Sequence, residues 1–257
     1  NELGTRAWVT SGPALTKGSD IVGTLTRMEP NDVLFIDEIH RLPAAVEEYI
    51  YPAMEDYKID FTLDSGMHAR VVTYALQPFT LIGATTRAGL LTAALRSRFG
   101  IVHNIRFYEC EELAEIVKQA IPKLNMDLID DASLHRIASR SRGTPRIALR
   151  LLRRVRDYSQ VRCDHAIDTS VIDKALKLEG IDGAGLDALD RAYLETLTTI
   201  YDGGPVGVEA IAATMGEDVG TLQDVVEPYL LQAGLLARTR QGRKITDLGM
   251  NHLKPVP

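Results

Sequence analysis

Two adjacent carboxylates, Asp37 and Glu38, follow the continuous β-favouring apolar run Val33-Leu34-Phe35-Ile36. Acidic side chains at the carboxyl end of a buried strand stand where an α/β sheet opens its ligand crevice. There Asp37 would face a magnesium ion through water, and Glu38 would polarise the water that attacks a γ-phosphate. The same pair would also serve merely to start a helix, where acids favour the dipole. Downstream, Thr85 and Thr86 follow a second apolar strand, Phe79 to Ala84, and put hydroxyls at the same sheet edge. Their alternative is loop capping. Arg96 and Arg98 lie near the end of a short helix, either solvated or reaching across a subunit interface to meet transition-state charge. Gly143-Thr144-Pro145-Arg146 opens another helix, with proline in its first turn and Arg146 available to a phosphate. Positioning and charge neutralisation are what phosphoryl transfer requires, so the order of these groups along the chain counts for more than any one of them.

The elements that must carry them are legible as patterns. Trp8 to Thr10 suits a short strand, Thr16 to Leu25 a helix, and Ala44 to Glu55 a helix with Val46, Tyr49, Ile50 and Ala53 on one face. Ile59 to Leu63 alternates, Asp64 to Met67 supplies turn residues, and Val71 to Tyr74 returns, which predicts an inserted hairpin. Strands alternating with helices indicate a parallel α/β sheet. From Glu111 onward the pattern is helical over Leu113–Leu124, Ala132–Arg140 and Pro145–Tyr158. The glycine-rich stretch Gly180 to Gly185 interrupts it. Beyond lie helices over Asp187–Tyr201, Gly207–Met215 and Thr221–Ala233, and a hairpin around Arg240 to Arg243, the layout of a winged helix.

With 257 residues, 45% hydrophobic and 25% charged, the chain has the composition of a soluble globular protein of two or three domains. No apolar run approaches the roughly 20 residues that span a bilayer, and the expected location is cytoplasmic. Cys110 and Cys163 fit neither a zinc spacing nor a disulfide framework, and the histidines, His40 and His103 among them, read as structural. A net charge of −6 argues against indiscriminate coating of nucleic acid, while Arg238-Thr239-Arg240-Gln241-Gly242-Arg243-Lys244 concentrates local positive charge on one predicted wing.

Long ordered segments closely resemble the RuvB family of AAA+ branch-migration ATPases. They are Thr10-Ser11-Gly12-Pro13, Leu34 to Leu42, Tyr51 to Tyr57, Leu81 to Gly89, Arg142 to Arg146 and Glu227-Pro228-Tyr229-Leu230. The resemblance covers essentially the whole chain. It implies an AAA+ parallel-sheet ATPase domain, N-terminally incomplete, over 1–105 with the hairpin at about 58–75, a helical lid over 106–180, and a winged helix over 181–257. It implies a Walker B pair in Asp37 and Glu38, sensor 1 in Thr86 with Thr85 beside it, an arginine finger in Arg98 and sensor 2 in Arg146. Glu55, Asp56, Tyr57 and Tyr108 match positions that line the nucleotide site. Arg238 and Arg243 are the implied DNA contacts, and the hairpin, through Ile59 and Phe61, the implied docking segment for a RuvA-type partner.

The implied cofactors are ATP or ADP with Mg2+. The implied assembly is a homo-oligomeric ring, a hexamer, acting on double-stranded DNA at four-way Holliday junctions with no membrane involved. Two competitors fit parts of the pattern: another AAA+ DNA-processing machine such as a clamp loader, and a non-enzymatic winged-helix DNA-binding protein with a vestigial ATPase fold. The sequence contains no G-x-x-x-x-G-K-[ST] phosphate cradle, and Asn1 to Gly4 reads as the last turn of a helix. The expectation is a chain truncated ahead of Asn1, which by itself binds nucleotide poorly and does not hydrolyse it.

Overall fold

A computed structural model describes residues 4–63 and 70–254, with side chains left aside at 61–63, 70 and 71. The expected helix tail at Asn1 to Leu3, the hairpin tip and the Phe61 side chain lie outside the described residues. The chain divides into two compact units, Asn1–Asn104 and Ile105–Pro257.

In the first unit a three-stranded parallel sheet runs in the order β1 (Ala7–Ser11), β2 (Val33–Asp37), β5 (Thr80–Gly83), with β2 central. The central position explains the unbroken apolar run. Leu34 and Ile36 are 1% and 0% exposed, burial that contributes roughly 1.5–3 kcal/mol for each such side chain. Helix α1 (Gly18–Leu25) links β1 to β2, and Ile21 and Leu25 enter the core. Helix α2 (Ala44–Asp56) follows β2, buries Val46, Ile50 and Ala53, and ends where Tyr57 turns left-handed at φ 52°. The antiparallel pair β3 (Lys58–Leu63) and β4 (Arg70–Ala75) is inserted before β5, and the short helix α3 (Ala93–Arg98) comes after it.

The second unit holds two further hydrophobic clusters. Helices α4 (Cys110–Ala120), α5 (Asp131–Ser139), α6 (Pro145–Arg162) and α7 (Thr169–Leu178) surround Leu113, Ile137, Leu152 and Ile172. The other cluster joins α8 (Ala188–Thr199), α9 (Val208–Met215), α10 (Val219–Thr221) and α11 (Glu227–Gln232), the last two connected by a π-helical segment at Leu222–Val226. The wing is the antiparallel pair β6 (Leu236–Thr239) and β7 (Gly242–Ile245), followed by α12 (Asp247–Leu253). Helix α7 and helix α12 are not among the elements read from the sequence.

Arg142 ties the two halves of this unit together. Its side chain, 10% exposed, donates from Nε to the Gly185 carbonyl at 2.9 Å and meets Asp187 at 2.9 Å and the buried Asp190. Its guanidinium also lies 5.2 Å from the Tyr229 ring centroid, and the Tyr229 hydroxyl donates to the Ala184 carbonyl at 2.6 Å. Burial pushes the Asp190 carboxyl up to about 6 against the pull of Arg142.

Candidate nucleotide-hydrolysis site and DNA-binding wing

The parallel register sets the candidate hydrolytic groups at one end of the sheet. Ser11 lies beside Asp37 and Ile36 beside Gly83, and the pairing continues as Ala84 N–H donates to the Ile36 carbonyl and Ile39 N–H to the Ala84 carbonyl, each at 2.9 Å. Asp37, Glu38, Thr85 and Thr86 therefore leave adjacent strands together. Glu38 has left-handed backbone angles, φ 47° and ψ 46°, a conformation that costs a non-glycine residue on the order of 1 kcal/mol or more. The turn is held from beneath by Gly12, where a Cβ would come within 2.5 Å of the Glu38 carbonyl oxygen. No other residue type permits that approach.

The side chains converge on Glu38. Thr86 Oγ1 lies 3.4 Å from Glu38 Oε2, and the imidazole Nδ1 of His40 lies 3.2 Å from the same oxygen and 2.8 Å from Thr85 Oγ1. Asp37 is exposed, and its Oδ1 accepts from the Glu38 N–H at 3.0 Å. No group of three or more acidic, histidine or cysteine side chains forms a metal cage among the described residues. One exposed carboxylate fits a magnesium ion that keeps its waters and takes further oxygens from phosphate.

Arg98 belongs to a separate cluster. Its Nε lies 3.0 Å from Glu55 Oε1, its Nη1 donates to the Ala94 carbonyl at 2.8 Å, and its guanidinium carbon stands 4.4 Å from the Tyr51 ring centroid. A small cavity of about 120 Å3 between Tyr57, Phe79, Phe99 and Arg98 adjoins it. Glu55 and Tyr57 thus stand beside Arg98 at the end of α2, while Asp56 faces Lys58 at 3.9 Å, and all three are exposed.

In the second unit, Tyr108 and the start of α6 are brought together, since the Tyr108 N–H donates to the Gly143 carbonyl at 2.8 Å. Gly143 has φ +64°, and a Cβ there would meet Phe107 Cβ at 2.7 Å, so both its conformation and its neighbour require glycine. Tyr108, Arg142, Gly143 and Tyr229 line a cavity of about 240 Å3. Arg146, in the first turn of α6, is exposed and has no hydrogen-bond or ion-pair partner among the described residues.

Three consecutive family matches account for nearly the whole chain: the P-loop domain of the Holliday junction DNA helicase RuvB over residues 1–105, the RuvB AAA lid domain over 108–182, and the RuvB C-terminal winged-helix domain over 183–254. The chain belongs to the RuvB family. The Holliday junction branch migration complex subunit RuvB of Desulfosudis oleivorans is 55% identical over 252 residues, which is 98% of this chain and 73% of that protein. Among solved structures, the Thermotoga maritima RuvB Holliday junction branch migration motor is 49% identical with a TM-score of 0.84, covering 100% of this chain and 81% of that one. A mutant form of the same protein gives 50% identity and a TM-score of 0.86, covering 100% of this chain and 82% of that one. The RuvB architecture of parallel-sheet AAA+ domain, lid and winged helix is the fold described above.

Within this RuvB-family chain, three sequence expectations change. Ile59, expected on a docking surface, is 0% exposed and packs in the core of the first unit. It faces inward because it directly follows Tyr57 and Lys58 at the base of the hairpin, where β3 leaves α2. Ile59→Ala is expected to destabilise the first unit by about 2–5 kcal/mol, read as a lowered midpoint for the fluorescence of Trp8, instead of selectively removing a partner. An unchanged midpoint would show that Ile59 is not a core residue.

The second change concerns Arg238 and Arg243, which face each other across the wing and share the carboxylate of Glu227, itself 0% exposed. Arg238 donates to Glu227 Oε2 from Nε at 3.0 Å and Nη2 at 2.5 Å. Arg243 donates from Nε to Oε1 at 2.9 Å, and the Tyr193 hydroxyl donates to Oε1 at 2.9 Å. With its side chain 17% exposed, Arg243 is committed to the interior, whereas Arg238 keeps an outer edge at 50%. The third change is His40, read as structural yet placed against Glu38. Its signal was its position two residues past Glu38 on one tight turn, which periodicity arguments do not register.

Proposed function

We propose that this chain is the hydrolytic and DNA-reading part of an ATP-driven RuvB motor that moves Holliday junctions by branch migration. The observation that carries the reading is the unbroken run of RuvB P-loop, lid and winged-helix matches over 1–105, 108–182 and 183–254, in family order. Bound ATP would come with magnesium, which Asp37 would hold through water. Glu38 orients and polarises the attacking water, and Thr85 and Thr86 report the terminal phosphate from the neighbouring strand end. Arg146, exposed in the first turn of α6 within the lid and with no hydrogen-bond or ion-pair partner among the described residues, senses the γ-phosphate. Tyr108 is set beside the same turn to pack on the nucleotide. Arg98 acts across a ring interface on the neighbouring subunit's nucleotide, with Glu55, Asp56 and Tyr57 shaping that face. The ring is a hexamer that loads at a four-way junction with a RuvA-type partner through the hairpin.

At the wing, DNA contact falls to the outer edge of Arg238 together with Arg240 and Lys244, which are exposed and have no partner among the described residues. Such contacts reach phosphates and carry little sequence information, which suits a motor that travels over any sequence. Replacing Arg240 and Lys244 with alanine is expected to weaken duplex binding about equally for unrelated sequences and to reduce the slope of log K against log salt by about one for each contact. An unaltered slope would remove the wing from the DNA interface. The same assay separates this reading from a clamp loader, whose C-terminal domain would show no such dependence.

A further inference from the structure

His40 occupies a place that a merely structural histidine has no reason to hold. Its side chain is 8% exposed, and one ring atom, Nδ1, lies within reach of two groups on different strands, Thr85 Oγ1 at 2.8 Å and Glu38 Oε2 at 3.2 Å. The hydrogen bond at Nδ1 is the one with Thr85 Oγ1, and the Glu38 carboxylate 3.2 Å away, which can only accept, favours a proton on Nδ1. The Thr85 hydroxyl then accepts from that N–H, and the Glu38 carboxylate is drawn to the same polarised group. A lone pair on Nδ1 would instead face the carboxylate at 3.2 Å with repulsion.

We infer that His40 is a positioning residue for ATP hydrolysis, holding the Glu38 carboxylate through Nδ1–H and linking it to the hydroxyl of Thr85. The inference rests on Glu38 acting as the group that activates water. Glu38 sits on a strained left-handed residue with a side chain about one-third exposed, and nothing in its own backbone conformation directs the carboxylate. The rigid turn Ile39–Arg41 supplies the direction by placing the imidazole beneath it, because Ile39 is anchored to the Ala84 carbonyl and buried at 1% exposure. A shift of Thr85, on the strand end that meets the terminal phosphate, is felt at Nδ1 and passed to Glu38 without any movement of the backbone of β2.

The tautomer is testable on the chain itself, without hydrolysis. Long-range 15N–1H spectra are expected to show neutral His40 protonated at Nδ1, with its resonance moved by Glu38→Gln and by Thr85→Val. An Nε2–H tautomer, or a resonance indifferent to both substitutions, would overturn the inference. In a form of the protein that carries a phosphate-binding loop, His40→Phe is expected to lower kcat about ten- to hundred-fold with KM within about twofold. His40→Asn, whose amide N–H reaches the Nδ1 position, restores most of the rate. A normal kcat in His40→Phe, or an asparagine variant no better than phenylalanine, would refute the linkage. If Glu38→Gln itself hydrolyses ATP normally, the water-activating role of Glu38 fails first. If Glu38→Gln is inactive and His40→Phe is normal, only the role of His40 is lost.

Discussion

Replacing Glu227 with alanine unfolds the C-terminal part of the second unit under conditions where the unsubstituted chain is intact, at a cost of about 3–5 kcal/mol. The carboxylate is 0% exposed and accepts from Tyr193, Arg238 and Arg243, so its removal leaves the largely buried guanidinium of Arg243 and a buried phenol without an acceptor. Uncompensated charge of that kind is what makes breaking a buried pair costly, even where the intact pair adds little over an apolar equivalent. Replacing Glu227, Arg243 and Tyr193 together by apolar residues of similar volume is accordingly far milder than Glu227→Ala alone. The measurement is a denaturant titration followed by far-UV circular dichroism, with Trp8 fluorescence as the control for the first unit. Coincident midpoints for Glu227→Ala and the unsubstituted chain would show that the carboxylate does not hold the wing.

The same group gives a pH dependence. Burial pushes the Glu227 carboxyl up, but the hydrogen bonds from Arg243, Arg238 and Tyr193 together outweigh it and hold the pKa below the ordinary value of 4.5. A carboxylate whose folded pKa is depressed contributes stability that is present in full above its unfolded value and is lost as pH falls through the folded one. The stability difference between the unsubstituted chain and Glu227→Gln is therefore constant near neutrality and shrinks below about pH 4.5.

Arg98→Ala is expected to slow hydrolysis in the assembled, loop-bearing ring by about 10^3–10^5-fold while nucleotide binding persists. The fold tolerates the change, because the Glu55 partner is more than half exposed and such a pair contributes at most about 1 kcal/mol. On the proposed role, Arg98 would contribute a guanidinium held by the Tyr51 ring and Glu55, ready to exchange the carboxylate for phosphate oxygens. Mixing Arg98→Ala subunits with Glu38→Gln subunits, each inactive alone, is expected to restore part of the activity, since some interfaces then join an intact Glu38 to an intact Arg98. Normal hydrolysis by Arg98→Ala, or the absence of any recovery on mixing, would place the residue outside the transition state.

Why some of this could be read in advance and some could not follows from the range of the interactions. Strand β2 declared itself because a central parallel strand has no polar face to dilute its apolar run, and α2 because Val46, Ile50 and Ala53 repeat with the helix. The acidic pair at the strand end was legible for the same reason: the run stops and the charges begin. Ile59 was misread because alternation tells which residues share a face and not which face is covered. The committed state of Arg243 was invisible because its partner Glu227 lies 16 residues earlier, and a buried carboxylate looks in sequence like any other glutamate. Helix α12, seven residues long and starting two residues after the hairpin, is too short for its period to show.

Arg142 carries a mechanical consequence. By bonding the turn before α6 to Gly185, Asp187 and Asp190, it welds α6, which carries Arg146 in its first turn, to α8, the first helix of the winged-helix module. A guanidinium held by three acceptors on the far side resists independent bending of the two elements. If the γ-phosphate draws Arg146 through a small angle, the wing sweeps an arc equal to that angle times its distance from the pivot. On the proposed sensing role of Arg146, such a unit would act as a crank, its wing moving with the lid and not apart from it.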